Sequence, residues 1–114
     1  MLLGILREEK IPADKRVPFS PKQCKEIIDN FSNIKIVIQS SSVRCFSDDE
    51  YIKHGISVVD DISISDILFG VKEVPESKLI PNKTYFYFSH TIKEQEYNRD
   101  LLIKMIALNI TMID

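Results

Sequence analysis

Short apolar runs recur along the chain and are separated by polar stretches. Each run is four to six residues long, rich in aliphatic or aromatic side chains, and bounded by charged or turn-forming positions. Runs of this kind predict short, buried β-strands. The predicted strands cover residues 2–6, 34–38, 56–59, 66–71, 84–88 and 110–113.

Helix signals lie between these runs. Residues 20–23 (Ser-Pro-Lys-Gln) supply a capping serine, a proline at the first helical position and a glutamine that can complete a capping box. Residues 47–50 (Ser-Asp-Asp-Glu) repeat the capping pattern, and Gly55 is expected to end that helix. The longest helix is predicted at residues 94–108, ended by Asn109. Its expected apolar face consists of Leu101, Leu102, Met105 and Ile106.

Alternation of apolar strands with helices defines the expected fold. Strands that are apolar throughout are typical of a parallel sheet covered on both faces. Right-handed crossovers then favour an α/β fold with a doubly wound, mostly parallel sheet, either Rossmann-like or flavodoxin-like. The last predicted strand begins close to Asp114, so we expect further chain to follow, since an exposed core strand is a liability.

Composition narrows the possible partners and compartment. The 114 residues are 44% apolar and 28% charged, with a net charge of −2, which predicts neither nucleic acid nor a membrane as partner. No apolar run approaches the roughly 20 residues of a membrane span. The apolar start is too short for a signal peptide, and Cys24 and Cys45 form no CxxC motif. We therefore predict a cytoplasmic protein with reduced thiols and no metal site.

Three candidate functional residues follow predicted strands. Arg16 lies in the loop after the first strand, Lys72 follows Gly70, and His90 follows Phe88. Ligands of open α/β sheets bind at the carboxyl ends of the strands. A guanidinium can hold a carboxylate through two hydrogen bonds, and lysine and histidine can transfer protons near neutral pH. The set therefore suits a substrate with carboxylates and an amine or carbonyl group.

The residue types alone leave plainer interpretations open. An arginine in a polar loop is commonly only solvated, and Lys72 with Glu73 can be an exposed pair of little energetic value. His90 can be an ordinary loop residue. The three glycines, Gly4, Gly55 and Gly70, cannot form a glycine-rich phosphate-binding loop, so the chain has no recognisable cofactor-binding residues.

Several segments carry a resemblance to a known family. Residues 4–10 (Gly-Ile-Leu-Arg-Glu-Glu-Lys) and 14–21 (Asp-Lys-Arg-Val-Pro-Phe-Ser-Pro) resemble the opening of the alanine dehydrogenase and pyridine-nucleotide transhydrogenase N-terminal domain family. Residues 46–51, with Gly55, and 66–75 are similar to its next landmarks. Residues 88–93 (Phe-Ser-His-Thr-Ile-Lys) are most similar to its lysine-ketoglutarate reductase branch, the lysine-forming saccharopine dehydrogenases.

This resemblance implies that the substrate and the cofactor are bound mainly by different domains. Residues 1–114 would form the first segment of an N-terminal, substrate-binding domain, while a separate domain would bind NAD or NADP. Lys72 and His90 would be catalytic, through acid–base roles, and Arg16 and Glu73 would bind an amino-acid or 2-oxo-acid substrate. The implied reaction joins lysine and 2-oxoglutarate to give saccharopine. Family members are oligomeric, so we expect a homo-oligomer.

Two alternatives remain open. Alanine dehydrogenase, acting on pyruvate and ammonia, is the rival within the family, whereas a dicarboxylate substrate needs additional cations, for which Arg44 and Lys93 are candidates. The other rival is a non-catalytic, flavodoxin-like binding or signalling module. Glu8 and Glu9 resemble the acidic pair of a phospho-receiver domain, but Lys72 follows the best central strand, where the phosphoacceptor aspartate would be required.

Overall fold

The computed structural model describes residues 1–9, 14–72, 74–88 and 99–113. Within these ranges the strands are β1 (Leu2–Ile5), β2 (Lys35–Gln39), β3 (Ser57–Val59), β4 (Ile67–Lys72), β5 (Thr84–Phe88) and β6 (Thr111–Ile113). The α-helices are α1 (Pro21–Asn30), α2 (Asp48–Lys53) and α3 (Arg99–Ala107), and a 3₁₀ turn covers Glu76–Lys78. Each predicted strand is therefore present, and no strand end differs from the prediction by more than one residue.

The six strands form one parallel sheet in the order β3-β2-β1-β4-β5-β6. The chain starts at the centre with β1, proceeds to one edge, then crosses back to place β4 on the other side of β1. This is the doubly wound strand order of Rossmann-like folds, and its reversal point lies between β1 and β4. The predicted fold class is confirmed.

The two faces of the sheet pack against separate hydrophobic clusters. Side chains alternate between faces along a strand. Leu3 and Ile5 accordingly join the cluster that includes Tyr51, while Leu2 and Leu6 pack against the other cluster. A sheet buried on both faces explains why the strands read as continuous apolar runs in the sequence.

Gly4 allows the crossover from β3 to β4 to lie directly on β1. A β-carbon at Gly4 would lie 2.8 Å from Cγ1 of Ile62 and closer still to the Ser65 side chain. Ser65 is itself fully buried. The glycine is therefore required because the side chains of Ile62 and Ser65 pack directly on the β1 backbone. The crossover brings residues 60–62 toward the carboxyl edge of the sheet.

The predicted helix ends match the structure. Ser20 Oγ accepts a hydrogen bond from Gln23 N (3.2 Å), and Gln23 Oε1 accepts one from Ser20 N (2.9 Å), which completes the capping box of α1. Gly55 and Asn109 follow α2 and α3 with positive φ values of 81° and 55°. The left-handed conformation ends a helix because it cannot continue the helical backbone.

The predicted apolar face of α3 was wrong at Ile106. Met105 is buried, as expected, but Ile106 is 73% exposed, because only one side of the helix packs on the sheet. Residues 94–98 of the predicted helix lie outside the described residues. In the part of the chain that the structure describes, no helix is both long and apolar enough to cross a membrane.

Candidate functional site at the carboxyl edge of the sheet

The ends of β1 and β4 bring two chemically active segments side by side. Leu6 N continues the β1–β4 ladder by donating to Phe69 O (2.8 Å), after which the chain leaves the sheet. Lys72 is the last residue of β4 rather than a residue beyond it. A cavity of about 140 Å³ opens at this reversal point, with Arg7, Glu9 and Lys72 in its lining. This is the edge at which doubly wound folds bind ligands.

Arg16 is held by Asp14 in a two-pronged ion pair. Arg16 Nε lies 3.0 Å from Asp14 Oδ1, and Arg16 Nη2 lies 2.6 Å from Asp14 Oδ2. Asp14 Oδ1 also accepts the Arg16 backbone N–H at 2.9 Å, so the carboxylate closes a local turn. Asp14 pairs with the Nε–Nη2 edge of the guanidinium. The Nη1–Nη2 edge therefore faces away from Asp14. The Arg16 side chain is 67% exposed.

Lys72 reaches the same carboxylate from β4. Its Nζ lies 3.7 Å from Asp14 Oδ2, the oxygen that also accepts from Arg16 Nη2. The Asp14 side chain is only 7% exposed. The structure thus brings Arg16 and Lys72, two of the residues singled out in the sequence, to one shared anion.

The two cations set the charge state of Asp14. Its pKa is held well below the ordinary value, chiefly by the Arg16 hydrogen bonds and with a smaller contribution from the Lys72 charge. The Asp14 carboxylate in turn raises the pKa of Arg16. Asp14 is therefore ionised throughout the neutral range, and it orients both cationic groups toward one another.

Glu8 connects the ends of β1 and β4. Its Oε1 accepts from Lys72 N (2.7 Å) and its Oε2 accepts from Val71 N (3.0 Å). Burial is the main reason that the pKa of Glu8 is raised, and these two backbone hydrogen bonds partly oppose the shift. The backbone that carries Lys72 is thus anchored by a side chain from the segment that follows the other central strand, β1.

A looser network of charges lines the cavity. Glu9 Oε1 lies 3.4 Å from Arg7 Nε and 3.8 Å from Lys78 Nζ. Arg7 Nη1 also donates to Ser40 O at 3.1 Å and lies 3.7 Å from Asp60 Oδ1. Distances above about 3.2 Å are long for charge-assisted hydrogen bonds, so these side chains can exchange partners more readily than the Asp14–Arg16 pair.

Arg44, one candidate for an additional cation, has a structural position. Its side chain is only 5% exposed and pairs with Asp48. Its Nη1 donates to Gln39 O at 2.7 Å, and its Cζ lies 4.9 Å from the centroid of the Tyr51 ring. These contacts hold the loop before α2 against the sheet, which leaves no exposed guanidinium for a substrate. Lys93, the other candidate, lies outside the described residues.

Two of the predicted site residues cannot be placed. Glu73 and His90 both lie outside the described residues, so their predicted roles remain predictions.

Asp14 and Glu8 were not predicted as site residues, although both make the contacts with Arg16 and Lys72 that are described above. A signal for Asp14 existed, since an aspartate two residues before an arginine can close an Asx turn. Glu8 offered a weaker signal, as an acid that follows a buried strand.

The residues after β1 do not fit a dinucleotide. Rossmann-like folds seat a pyrophosphate on a glycine-rich turn at the amino end of the first helix. Here the segment between β1 and α1 contains no glycine and instead carries the carboxylates of Glu8 and Glu9, which would repel a pyrophosphate. We therefore derive no chemical step through a nicotinamide cofactor from these residues. The described residues also contain no group of three or more His, Cys, Asp or Glu side chains able to hold a metal ion.

The strand order and the polar edge at the reversal point define a Rossmann-like domain of the type that binds small molecules. The family model for the alanine dehydrogenase/PNT N-terminal domain matches residues 4–114. The chain belongs to this family.

Curated relatives cover almost the whole chain but are much longer. The mitochondrial alpha-aminoadipic semialdehyde synthase of Bos taurus is 43% identical over 113 residues, which is 99% of this chain and 12% of the relative. The alpha-aminoadipic semialdehyde synthase of Arabidopsis thaliana is 31% identical over 117 residues, or 99% and 11%. The saccharopine dehydrogenase [NAD(+), L-lysine-forming] of Schizosaccharomyces pombe is 32% identical over 115 residues, or 96% and 31%. The chain thus spans between about a tenth and a third of these relatives.

Solved structures agree on the fold. An L-alanine dehydrogenase superposes with a TM-score of 0.80 at 20% identity, over 99% of this chain and 32% of that chain. A transhydrogenase from Sinorhizobium meliloti gives a TM-score of 0.75 at 17% identity, over 96% and 33%. At these identities the likeness supports the architecture, and the chemistry has to be argued from the side chains.

Proposed function

We propose that residues 1–114 form the first segment of the substrate-binding domain of an NAD(P)-dependent amino-acid dehydrogenase. The reaction is the reductive joining of lysine and 2-oxoglutarate to give saccharopine. The names of the curated relatives, which include a lysine-forming saccharopine dehydrogenase, support this choice of substrates. In this proposal a domain outside the chain binds NAD or NADP, and the complete protein is a homo-oligomer in the cytoplasm.

One observation carries the proposal: Arg16 and Lys72 meet at Asp14 on the ligand-binding edge of the sheet. A cationic pair of this kind suits an oxo acid, which presents a carboxylate next to a polarised carbonyl. Asp14 fixes one edge of the guanidinium and leaves the opposite edge for a substrate carboxylate. In this proposal the oxo group of the bound substrate lies within reach of Lys72, whose ammonium is 3.7 Å from the Asp14 carboxylate that Arg16 also contacts.

The roles follow from the order of bond changes. The side-chain amine of lysine bonds to the oxo carbon of 2-oxoglutarate, and the resulting carbinolamine loses water to give an imine. Arg16 and Glu73 hold the substrates, while Lys72 and His90 move protons to and from the carbinolamine oxygen and nitrogen. A nicotinamide cofactor bound by a domain outside this chain would supply the hydride that the imine needs, while Arg16 and Glu73 keep the substrate in place.

Turnover of the complete protein tests this proposal. We expect oxidation of NADH or NADPH with lysine and 2-oxoglutarate together, and no comparable oxidation with pyruvate and ammonia. A Lys72→Ala variant should lose this activity, whereas Lys25→Ala should retain it, because Lys25 belongs to an exposed ion pair on α1. Oxidation with pyruvate and ammonia alone would favour the alanine dehydrogenase alternative, and no turnover with either pair would contradict the proposed enzyme.

A further inference from the structure

The backbone of β4 extends beyond the end of its central neighbour. Pairing between β1 and β4 ends at Ile5 and Phe69, whereas β4 continues to Lys72. The register between β4 and β5 also shifts between Phe69 and Lys72. At such an irregularity successive amides can point to the same side of a strand. The N–H groups of Val71 and Lys72 both point toward the side that β1 has left.

The Glu8 carboxylate takes the place of the missing strand. Each of its oxygens accepts one of the two amides, at 3.0 Å for Val71 and 2.7 Å for Lys72. Buried amides without an acceptor are costly, so this contact has a structural value of its own. It is also closely packed, since a β-carbon at Gly70 would lie 3.2 Å from Glu8 Oε2.

We propose that Glu8 is a positioning residue for Lys72. By holding the Lys72 backbone, the carboxylate fixes where the ammonium group meets Asp14 and therefore where a proton can be exchanged with a bound substrate. This inference deepens the proposed function and rests on it, because it requires Lys72 to act on the substrate. The hydrogen bonds that Glu8 makes go to the backbone amides of Val71 and Lys72 rather than to the Lys72 ammonium.

Two substitutions at Glu8 distinguish the effect of side-chain length from the effect of charge. Glu8→Gln keeps the length but provides one oxygen and an NH₂ group, which cannot accept from the second amide. Glu8→Asp keeps the charge but is shorter by one methylene, so it cannot reach both amides. A positioning role predicts that both variants lose activity, whereas a purely electrostatic role predicts that Glu8→Asp retains it.

The kinetic test uses the complete protein with lysine, 2-oxoglutarate and NAD(P)H. We expect kcat to fall about 10- to 100-fold in both variants, since small displacements of a reacting group are costly, while the KM for 2-oxoglutarate changes little. Glu26→Gln is the matched control, because Glu26 is exposed on α1. Circular dichroism and melting curves verify that the assays are made on folded protein.

A second readout does not depend on activity. In the wild-type chain, the amide NMR signals of Val71 and Lys72 should shift together with pH, with one midpoint above 4.5, the ordinary pKa of a glutamate. Asp14 and Arg16 are the charged groups that act on Glu8 through space, and they move this pKa in opposite directions. Glu8→Gln should abolish the common shift and speed hydrogen exchange at the amide that loses its acceptor.

The outcomes distinguish the two proposals. If Lys72→Ala is inactive while Glu8→Gln and Glu8→Asp keep wild-type kcat, the positioning role is wrong and the proposed function stands. If Lys72→Ala is fully active, the proton-transfer role proposed for Lys72 fails and the positioning role fails with it, whereas an absence of turnover in the wild-type protein would contradict the proposed reaction itself. Independent titration of the two amides would show that Glu8 does not hold both and would overturn the inference by itself.

Discussion

Removal of one buried hydroxyl tests how the loop that carries Arg16 is held. Tyr51 is fully buried in α2, and its OH donates to the backbone carbonyl of Phe19 at 2.7 Å. Phe19 belongs to the same loop as Arg16, just before the cap of α1. A Tyr51→Phe substitution removes this hydrogen bond and keeps the ring, its edge-on contact with Phe46 and its contact with Arg44.

The expected cost follows from what is lost. A net hydrogen bond contributes about 1 kcal/mol, and a carbonyl left without a partner in a buried site raises the loss to about 1–3 kcal/mol. Truncation of the whole ring in Tyr51→Ala should cost about 3–5 kcal/mol, because a cavity is added. The loop has another attachment, Cys45 N to Lys15 O at 2.8 Å, so we expect it to stay in place in Tyr51→Phe.

Urea denaturation of the chain, followed by circular dichroism, measures these losses. The midpoint should fall moderately in Tyr51→Phe and much further in Tyr51→Ala, with an unchanged dependence of the unfolding free energy on urea. Equal stability of wild type and Tyr51→Phe would refute the view that this hydroxyl anchors the loop. Equal losses in the two variants would refute the view that ring packing provides most of the contribution.

Three further predictions concern the site and the thiols. Arg16→Lys keeps the charge but loses the two-pronged geometry, so we expect kcat/KM for 2-oxoglutarate to fall about tenfold in steady-state assays, with no change in Lys25→Ala. Unchanged kcat/KM would exclude Arg16 from substrate binding. The pKa of Asp14 is lower in the folded chain than its ordinary value of 3.8. Its ion pairs therefore stabilise the fold at pH values above 3.8, and this stabilisation is lost as the pH falls through the folded pKa. The stability difference between wild type and Asp14→Asn in urea should therefore be larger at neutral pH than at about pH 3, and a difference independent of pH would contradict this. Cys24 is fully buried with a pKa raised to about 11, whereas Cys45 is exposed. A thiol reagent should therefore modify Cys45 first and Cys24 only on unfolding. Equal rates of modification in the native chain would contradict this and show that the packing around Cys24 on α1 opens readily.

The sheet could be predicted because its signals are local. Apolar runs and capping residues are read within a few positions, and the box at Ser20 and Gln23 is present as predicted. The same local signals placed Lys72 at the end of a central strand, and the handedness rule favoured a doubly wound topology without giving the strand order. Function-related expectations for Arg16 and Lys72 depended mainly on family resemblance.

What could not be predicted depends on contacts between distant segments. Glu8 meets backbone amides more than sixty positions away. Its position after a buried strand is only a weak local signal, because many acids at such positions are simply solvated. Arg44 was a candidate for an additional cation that a dicarboxylate substrate needs, yet packing on Tyr51 buries it. Ile106 shows the converse, since an apolar residue at helical spacing lies on the exposed side of α3.

A structure of the complete protein with 2-oxoglutarate bound would test the account most directly. We predict that one substrate carboxylate lies against the guanidinium edge of Arg16 that Asp14 leaves open, with the oxo group within reach of the Lys72 ammonium. A ligand that binds on another surface and contacts neither side chain would contradict the substrate site proposed for this domain.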